Sequence, residues 1–382
     1  MKSIAVFHPS NDLYGADRIL VNALQAFSTE SKKVVYLPKE GPLSQLIIDS
    51  VENVEIKIVP TLPIIFRAIF SPKGIIQFLK NYRSFKRYLK KEHQQHQFDL
   101  AYVNTLSCSF LLPILSRLKI KCFVHVHEIL ERPEIVAYVT ARLARKYSDY
   151  VISVSKAVEN NLIRLDPRIA KKCHCLHNGI EPIDCASEEA NEHLTFYLFG
   201  RIMPKKGQWY LVDSLAIIPK FILEQARFVI VGGPPPGREH LSDLLKNRIK
   251  EVGLESVVTL KGFCSDISRE MAKADVCVVP SLMRDPFPTT VLEAMSSGKP
   301  VIATNHGGAA EVIEHEANGY LIEPNDLKQF AEVVERAILN RDMISDMGRS
   351  AKECYRSGFT LERFQEDWKE LHRRESESFL EK

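Results

Sequence analysis

Several signals that would place a chain quickly are missing from this one. No apolar run approaches the roughly 18–20 residues that a bilayer-crossing helix needs. The opening MKSIAVFHPS breaks at His8 and Pro9, too soon for the apolar region of a signal peptide, so it reads as a first buried strand. The eight cysteines are scattered without a CxxC pair, which argues for reduced thiols and against a disulfide scaffold. GxGxxG is absent, so neither NAD nor FAD is implied, and the absence of GxSxG disfavours a hydrolase elbow. Cys173-His174-Cys175-Leu176-His177 matches no zinc spacing and reads as a strand within a connection. Excess charge is missing too: a formal net charge of +3 is too small to steer the whole chain to nucleic acid.

What is present is the pattern of an α/β protein. At 382 residues the chain exceeds one ordinary domain, and two are expected. Its 45% apolar and 26% charged residues suit a folded globular chain. Short apolar runs alternate with amphipathic helical stretches: SIAVF, KVVYL, VEIKIV, DLAYV, CFVHVH and YVISVS, then LTFYLFG, RFVIVGG, VVTLKGF, VCVVPS and PVIATN. Continuous apolar strands between helices imply parallel sheets covered on both faces, hence two doubly wound, Rossmann-like domains in series. The pattern lapses over 173–193, where an Asn-Gly turn signal, a Pro and a run of acids mark a connection. The expected domains are 1–180 and 181–359. A last helix, about 360–382, carries Leu361, Phe364, Trp368 and Leu371 at helical spacing and is expected to pack back on the first. Two such domains leave a cleft between the carboxyl ends of their sheets, where ligands of these folds bind.

Four strand-end loops in the second domain carry suitable chemistry. Gly200-Arg201-Ile202-Met203-Pro204-Lys205-Lys206-Gly207 puts a guanidinium and an ammonium on one turn, either gripping a diphosphate or simply solvated. VIVGGPPPG, with Gly233, serves equally as a tight turn or a nucleotide contact. In RDPFPTTVLEAM, Asp285 precedes a helix expected to start near Thr290, whose first N–H groups suit a phosphate. Glu293 could accept from a ribose diol, but Thr290-Val291-Leu292-Glu293 also fits a capping box, and on this stretch alone the cap is preferred. Asn305-His306-Gly307-Gly308 is the fourth loop. Together they outline a nucleotide-diphosphate site with two carboxylates and two cations.

The order GRIMPKKG, VGGPPPG, DPFPTTVLEAMSSGKPVIATNHGGAAEVIE and NGYLIEPND, with HNGIE before it and Phe359-Thr360-Leu361-Glu362-Arg363-Phe364 after, resembles the retaining glycosyltransferases of family four (group 1), of GT-B fold and bacterial surface-polysaccharide type. The resemblance implies that Arg201 and Lys206 neutralise the donor diphosphate, and that Glu293, second acid of the family's Glu-x7-Glu motif, holds the ribose. Asp285 stands where the first Glu usually contacts the donor sugar, one methylene shorter. The implied donor-binding set also includes Gly15, Gly200, Gly233, Pro286, Phe287, Thr289, Thr290, Val291, Gly307 and Gly308. In the first domain, Asn11–Arg18 looks like the family's Gly loop, and His127 stands where the family places a histidine beside the donor sugar. His125 is the rival on the same strand face, and a buried, satisfied histidine explains either. Catalytic roles thus fall to His127, Asp285, Arg201 and Lys206. No metal or other cofactor is expected, since the DxD handle of the other large glycosyltransferase fold is absent.

From Lys57 to Lys91 there are nine Lys/Arg and no acid, with Ile75, Ile76, Phe78, Leu79, Tyr82, Phe85 and Leu89 as an apolar stripe. Such a helix either lies on anionic lipid or is a domain helix with a solvated charged face. The expected function is transfer of a hexose-type sugar from a nucleotide-diphosphate sugar to a hydroxyl of a growing, lipid-linked glycan, as in O-antigen or capsule synthesis. The enzyme is expected in the cytoplasm, with peripheral contact to the plasma membrane and no nucleic-acid partner. The alternatives are a nucleotide-sugar epimerase or hydrolase of the same fold, or a non-catalytic sugar-nucleotide-binding protein.

Overall fold

The computed structural model describes residues 2–66, 69, 71–183, 192–264 and 266–377. Arg67 of the basic stretch, Asp184, Glu188 and Glu189 of the expected connection, and the last five residues lie outside the described residues. The chain divides into Met1–Gly179 with Leu361–Lys382, and Ile180–Thr360.

The first unit is built on β1 (Ser3–Phe7), β2 (Lys32–Leu37), β3 (Val54–Ile58), β4 (Leu100–Asn104), β5 (Lys121–Val126), β6 (Tyr150–Ser153) and β7 (Cys173–Cys175). The order is β3-β2-β1-β4-β5-β6-β7 and every pair is parallel. All residues of β1 and β4 are buried, as continuous apolar runs covered on both faces require. Cys173–Cys175 does more than connect: Val151 of β6 pairs with Cys173 and Ser153 with Cys175, which makes this segment the edge strand. The sheet reverses its winding between β1 and β4. Connections that leave these neighbours in opposite directions open a crevice beyond their carboxyl ends.

The Leu361–Glu377 helix packs on the Gly15–Ala26 helix and completes the first unit's core. Trp368 is 1% exposed. Its ring lies 5.6 Å from that of Phe27 and 5.3 Å from that of Tyr102, edge-on to both, an arrangement aromatic quadrupoles favour.

The second unit repeats the plan with β8 (Leu194–Phe199), β9 (Ala226–Val231), β10 (Val258–Lys261), β11 (Val276–Val279), β12 (Val301–Thr304) and β13 (Gly319–Ile322). The order is β10-β9-β8-β11-β12-β13, all parallel, so its winding reverses between β8 and β11. Among the described residues no helix is long and apolar enough to cross a membrane.

Because Trp368 belongs to a segment that returns from the far end of the sequence, removing its side chain should loosen the whole first unit. Trp368→Ala is expected to lower unfolding free energy by about 3–5 kcal/mol. A urea midpoint unchanged from wild type would show that the returning helix is not part of that cooperative core.

Candidate functional site

In the second unit the loops after β8 and β11 meet at the winding reversal. The turn Pro204–Lys206 follows β8, and its Lys205 carbonyl accepts the Leu282 N–H at 2.9 Å. This fixes Lys206 beside the loop that carries Asp285, and the ammonium donates to Asp285 Oδ2 at 2.8 Å. Both side chains keep contact with solvent, at 34% and 20% exposure. Arg201, at the start of the same turn, is exposed.

The loop after β12 is pressed onto the same segment. The Gly308 N–H donates to the Asp285 carbonyl at 2.9 Å. A Cβ on Gly307, whose φ is +66°, would lie 2.2 Å from that carbonyl oxygen, and one on Gly308 would lie 2.3 Å from the Pro286 oxygen. Neither position admits a side chain without moving the Asp285–Phe287 backbone. His306 Nε2 and Thr304 Oγ1 both reach the Ser281 carbonyl, at 2.8 and 2.7 Å. Of the pair after β9, steric need falls on Gly232, whose Cβ would meet the Gly200 oxygen at 2.0 Å; Gly233 accepts the Ile202 N–H at 2.9 Å.

The capping-box reading of Thr290 and Glu293 is corrected here. The helix spans Thr289–Ser296 with Pro288 at its N-cap and no side-chain cap hydrogen bond. Proline supplies the fixed φ that starts the turn, and its carbonyl takes the Val291 N–H at 3.1 Å. Glu293 therefore lies a full turn inside the helix, 9% exposed, where no capping box places its acid. Phe287 and Val291 are buried, and Pro286, Thr289 and Thr290 half-buried.

In the first unit the polar residues at the winding reversal form one chain of hydrogen bonds. His8 follows β1, Asn104 ends β4 and His127 follows β5. Asp17, in the first turn of the Gly15–Ala26 helix, takes the Tyr14 N–H on Oδ2 at 2.7 Å and faces His8 Nε2 with Oδ1 at 2.6 Å. His8 Nδ1 meets Asn104 Nδ2 at 2.9 Å, and Asn104 Oδ1 meets His127 Nε2 at 2.8 Å. Tyr102 Oη also donates to Asn104 Oδ1, at 2.9 Å, and contacts His125 Nδ1 at 2.7 Å. Thr105, next to Asn104, has φ +90°, a strained conformation for a β-branched residue and one that clusters at functional sites.

Burial would raise the Asp17 carboxyl, but the hydrogen bonds from His8, Ser10 and Tyr14, with His8 alongside, hold it below its ordinary value. Burial, with His125 and His8 close by, pushes His127 well below the usual imidazole range, and burial alone takes His125 down to about 3. Burial pushes Glu128 up against the pull of the backbone N–H groups of Leu106 and His127.

The structure thus brings Lys206, Asp285, Gly307 and Gly308 into one site in the second unit, with Arg201 and Gly200 on the adjoining turn. It sets His127 in a network in the first. Gly15 opens the helix whose first turn supplies Asp17. Sequence reasoning missed His8, Asn104 and Glu128. A signal was available: His8 and His127 directly follow buried strands and Asn104 ends one, and sheet order makes those strands neighbours.

The "Glycosyl transferases group 1" family model matches residues 181–354 and the "Glycosyltransferase Family 4" model residues 36–183. The chain is 26% identical over 387 residues, 94% of each chain, to the UDP-Gal:alpha-D-GlcNAc-diphosphoundecaprenol alpha-1,3-galactosyltransferase of Escherichia coli. It is 30% identical over 170 residues, 42% of this chain and 43% of the other, to a GDP-mannose-dependent alpha-(1-6)-phosphatidylinositol monomannoside mannosyltransferase of Mycobacterium tuberculosis. Among solved structures, Anabaena Alr3699/HepE in complex with UDP and glucose superposes with a TM-score of 0.80 at 24% identity, covering 97% of this chain and 99% of that one. WaaG, a glycosyltransferase involved in lipopolysaccharide biosynthesis, gives 0.70 at 16% identity, covering 96% and 98%. At these identities the structural likeness is one of fold.

The buried histidines make stability depend on pH. His125 titrates at about 3 when folded and near 6.5 when unfolded, so across that window the unfolded chain binds a proton that the folded one does not. Stability therefore falls as pH drops from about 6.5 toward 3, by up to about 1.4 kcal/mol per unit for one such group, and His127 acts in the same direction. Melting temperature followed against pH should show this decline, and His125→Phe should flatten it. An equal slope in the variant would remove His125 as a source.

Proposed function

As the chain belongs to the group 1, family 4 glycosyltransferases, we propose that it moves a hexose-type unit from a nucleotide-diphosphate sugar to a hydroxyl of a lipid-linked glycan, with retention at the anomeric carbon. The observation that carries the reading is the Lys206–Asp285 pair at the winding reversal, held by three strand-end loops. An anionic diphosphate competes with Asp285 for the Lys206 ammonium, which releases the carboxylate to accept from hydroxyls of the sugar. Arg201 adds its fork of donors. Glu293, excluded as a cap and buried, is assigned to the ribose diol. His127 is assigned to the transferred sugar.

The barrier lies in breaking the bond from the anomeric carbon to the diphosphate oxygen. Arg201 and Lys206 stabilise the charge that develops on the departing group, and supply what a metal ion would otherwise bring. In the route we prefer, the acceptor oxygen bonds to the anomeric carbon on the face the diphosphate leaves. Its proton passes to a departing phosphate oxygen, so no protein nucleophile is required. This reading is supported by the E. coli and M. tuberculosis relatives, whose names specify nucleotide-linked hexose donors and lipid-linked acceptors.

The first unit carries a surface suited to such acceptors. The Pro72–His96 helix buries Phe85 and Leu89 but leaves Ile75, Ile76 and Leu79 exposed; Ile135, on the Glu134–Tyr147 helix, is 72% exposed. Ile75, Phe78, Leu79, Phe110, Ile135 and Val139 line an open apolar cavity of about 240 Å³. Lys73, Lys80, Arg83, Lys86 and Arg87 are exposed along the first of these helices, and none has a carboxylate partner among the described residues. Bare cations beside exposed apolar side chains suit an anionic lipid surface, and the acceptor's lipid is proposed to bring the enzyme there.

With a nucleotide-sugar panel and a lipid-linked acceptor, Arg201→Ala is expected to cut kcat about 10²-fold or more, and EDTA should leave wild-type turnover unchanged. Glu293→Gln should chiefly weaken donor binding. Intact donor affinity in that variant would withdraw the ribose role, and a full rate in Arg201→Ala would withdraw the diphosphate role. In flotation assays the chain should bind vesicles rich in phosphatidylglycerol in preference to phosphatidylcholine alone, and Ile75→Asp with Ile135→Asp should abolish binding. Equal recovery of both proteins with both vesicles would refute the lipid surface.

A further inference from the structure

The hydrogen-bond chain of the first unit has a direction, held by a carboxylate at one end and by the Ala16 carbonyl beside its middle. Asn104 Nδ2 lies 3.4 Å from the Ala16 carbonyl, which can only accept, so the amide nitrogen faces that way and toward His8. His8 Nδ1 must then accept, and its proton sits on Nε2, where the Asp17 carboxylate receives it at 2.6 Å. The other side of the amide is consequently its oxygen. It takes the Tyr102 hydroxyl at 2.9 Å and His127 Nε2 at 2.8 Å, so His127 carries its proton on Nε2. Burial keeps that ring uncharged, which leaves Nδ1 as a bare lone pair.

We propose that Asp17 is a positioning residue which, through His8 and Asn104, fixes the tautomer of His127 so that Nδ1 can only accept a hydrogen bond. A neutral, acceptor-only nitrogen recognises a hydroxyl and gives nothing to a phosphate oxygen. Its partner is therefore a hydroxyl of the transferred sugar. This rests on the assignment of His127 to the sugar given above.

Asp17 does more than steady its helix. Oδ2 takes the Tyr14 N–H, which satisfies the helix start, while Oδ1 is turned to His8 and to the Ser10 hydroxyl, at 2.6 and 2.5 Å. Apart from the chain itself, His127 faces the His125 ring at 4.2 Å between centroids, and its backbone N–H meets Glu128 Oε2 at 3.0 Å. His125 is held neutral by burial, and burial raises the Glu128 carboxyl. Asp17 is thus the anion at the end of the chain that orders the others. Asn at position 17 would present an amide N–H to His8 Nε2 and drive the proton to Nδ1. Asn104 would then give up its long 3.4 Å contact to the Ala16 carbonyl and turn its oxygen toward His8 and its nitrogen toward His127, with the Tyr102 hydroxyl swinging to His125 Nδ1, and the inversion would end with the His127 proton on Nδ1.

The test is nitrogen NMR on the full chain labelled with ¹⁵N-histidine. In the wild type His127 Nε2 should show the shift of a protonated nitrogen and Nδ1 that of a bare one from pH 6 to 9; the opposite tautomer would overturn the proposal without any variant. In Asp17→Asn the two His127 shifts should exchange toward the reverse pattern, and kcat/KM for the donor should fall roughly tenfold, as for loss of one hydrogen bond. In a His127→Gln background the same change should cost nothing further in kcat/KM. Unchanged His127 shifts in Asp17→Asn, or an equal loss in the His127→Gln background, would reduce Asp17 to a helix cap. The spectra need no turnover. A tautomer that responds in a protein unable to transfer sugar would sink the functional reading and leave the relay standing; transfer with unresponsive shifts would do the reverse.

Discussion

The ion pair between Lys206 and Asp285 sits at the one place in the second sheet where neighbouring strands send their connections in opposite directions. Everything else in that unit's site follows from this geometry. β8 and β11 are adjacent in the sheet and some 80 residues apart in sequence, so the turn after one and the loop after the other meet only because the winding reverses there. A partly exposed pair of this kind contributes about 0–1 kcal/mol to stability, too little to explain three loops locked together by backbone contacts at Gly307 and Gly308. The loops hold opposite charges close together and open to solvent, where a ligand can exchange partners with them.

The second unit was legible in the sequence because its chemistry is local. Each loop lies between a buried strand and the helix that follows, so a strand pattern and a few letters were enough to locate Arg201, Lys206, Asp285 and the glycines. The misreading of Thr290 has the same origin. Thr-x-x-Glu is a local pattern, and so is a helix start at proline; the structure chose Pro288, which moved the helix one residue earlier and turned Glu293 inward. The steric need for Gly232, beside the Gly233 singled out in the sequence, was hidden for a different reason. Which of two adjacent glycines is needed depends on the Gly200 carbonyl, and that lies on another strand.

The first unit was less legible because its site is assembled from distant residues. His8, Asp17, Asn104 and His127 become neighbours only once β1, β4 and β5 are placed side by side. No spacing rule connects them; His8, Asn104 and His127 share only a place at the carboxyl ends of buried strands, which the sheet order turns into proximity. His127 was singled out through the family resemblance. The strand series itself was readable, since continuous apolar runs need cover on both faces, but the edge strand Cys173–Cys175 was too short and polar to be seen as part of the sheet.

The two units use opposite electrostatics, and the proposed reaction gives a reason. A departing diphosphate needs cations, and the second unit offers Arg201 and Lys206 near solvent, where carrying charge costs little. A sugar must be held by its hydroxyls without attracting the diphosphate to the wrong place. In the proposed reaction the first unit would meet that need with His127, held neutral by its surroundings, and the Asn104 amide that meets its Nε2. A protonated histidine in that role would attract phosphate and would lose its ability to accept from a hydroxyl. Burying the ring removes the first problem. Fixing which nitrogen bears the proton removes the second, and the chain of hydrogen bonds proposed to fix it ends on a carboxylate three hydrogen bonds away.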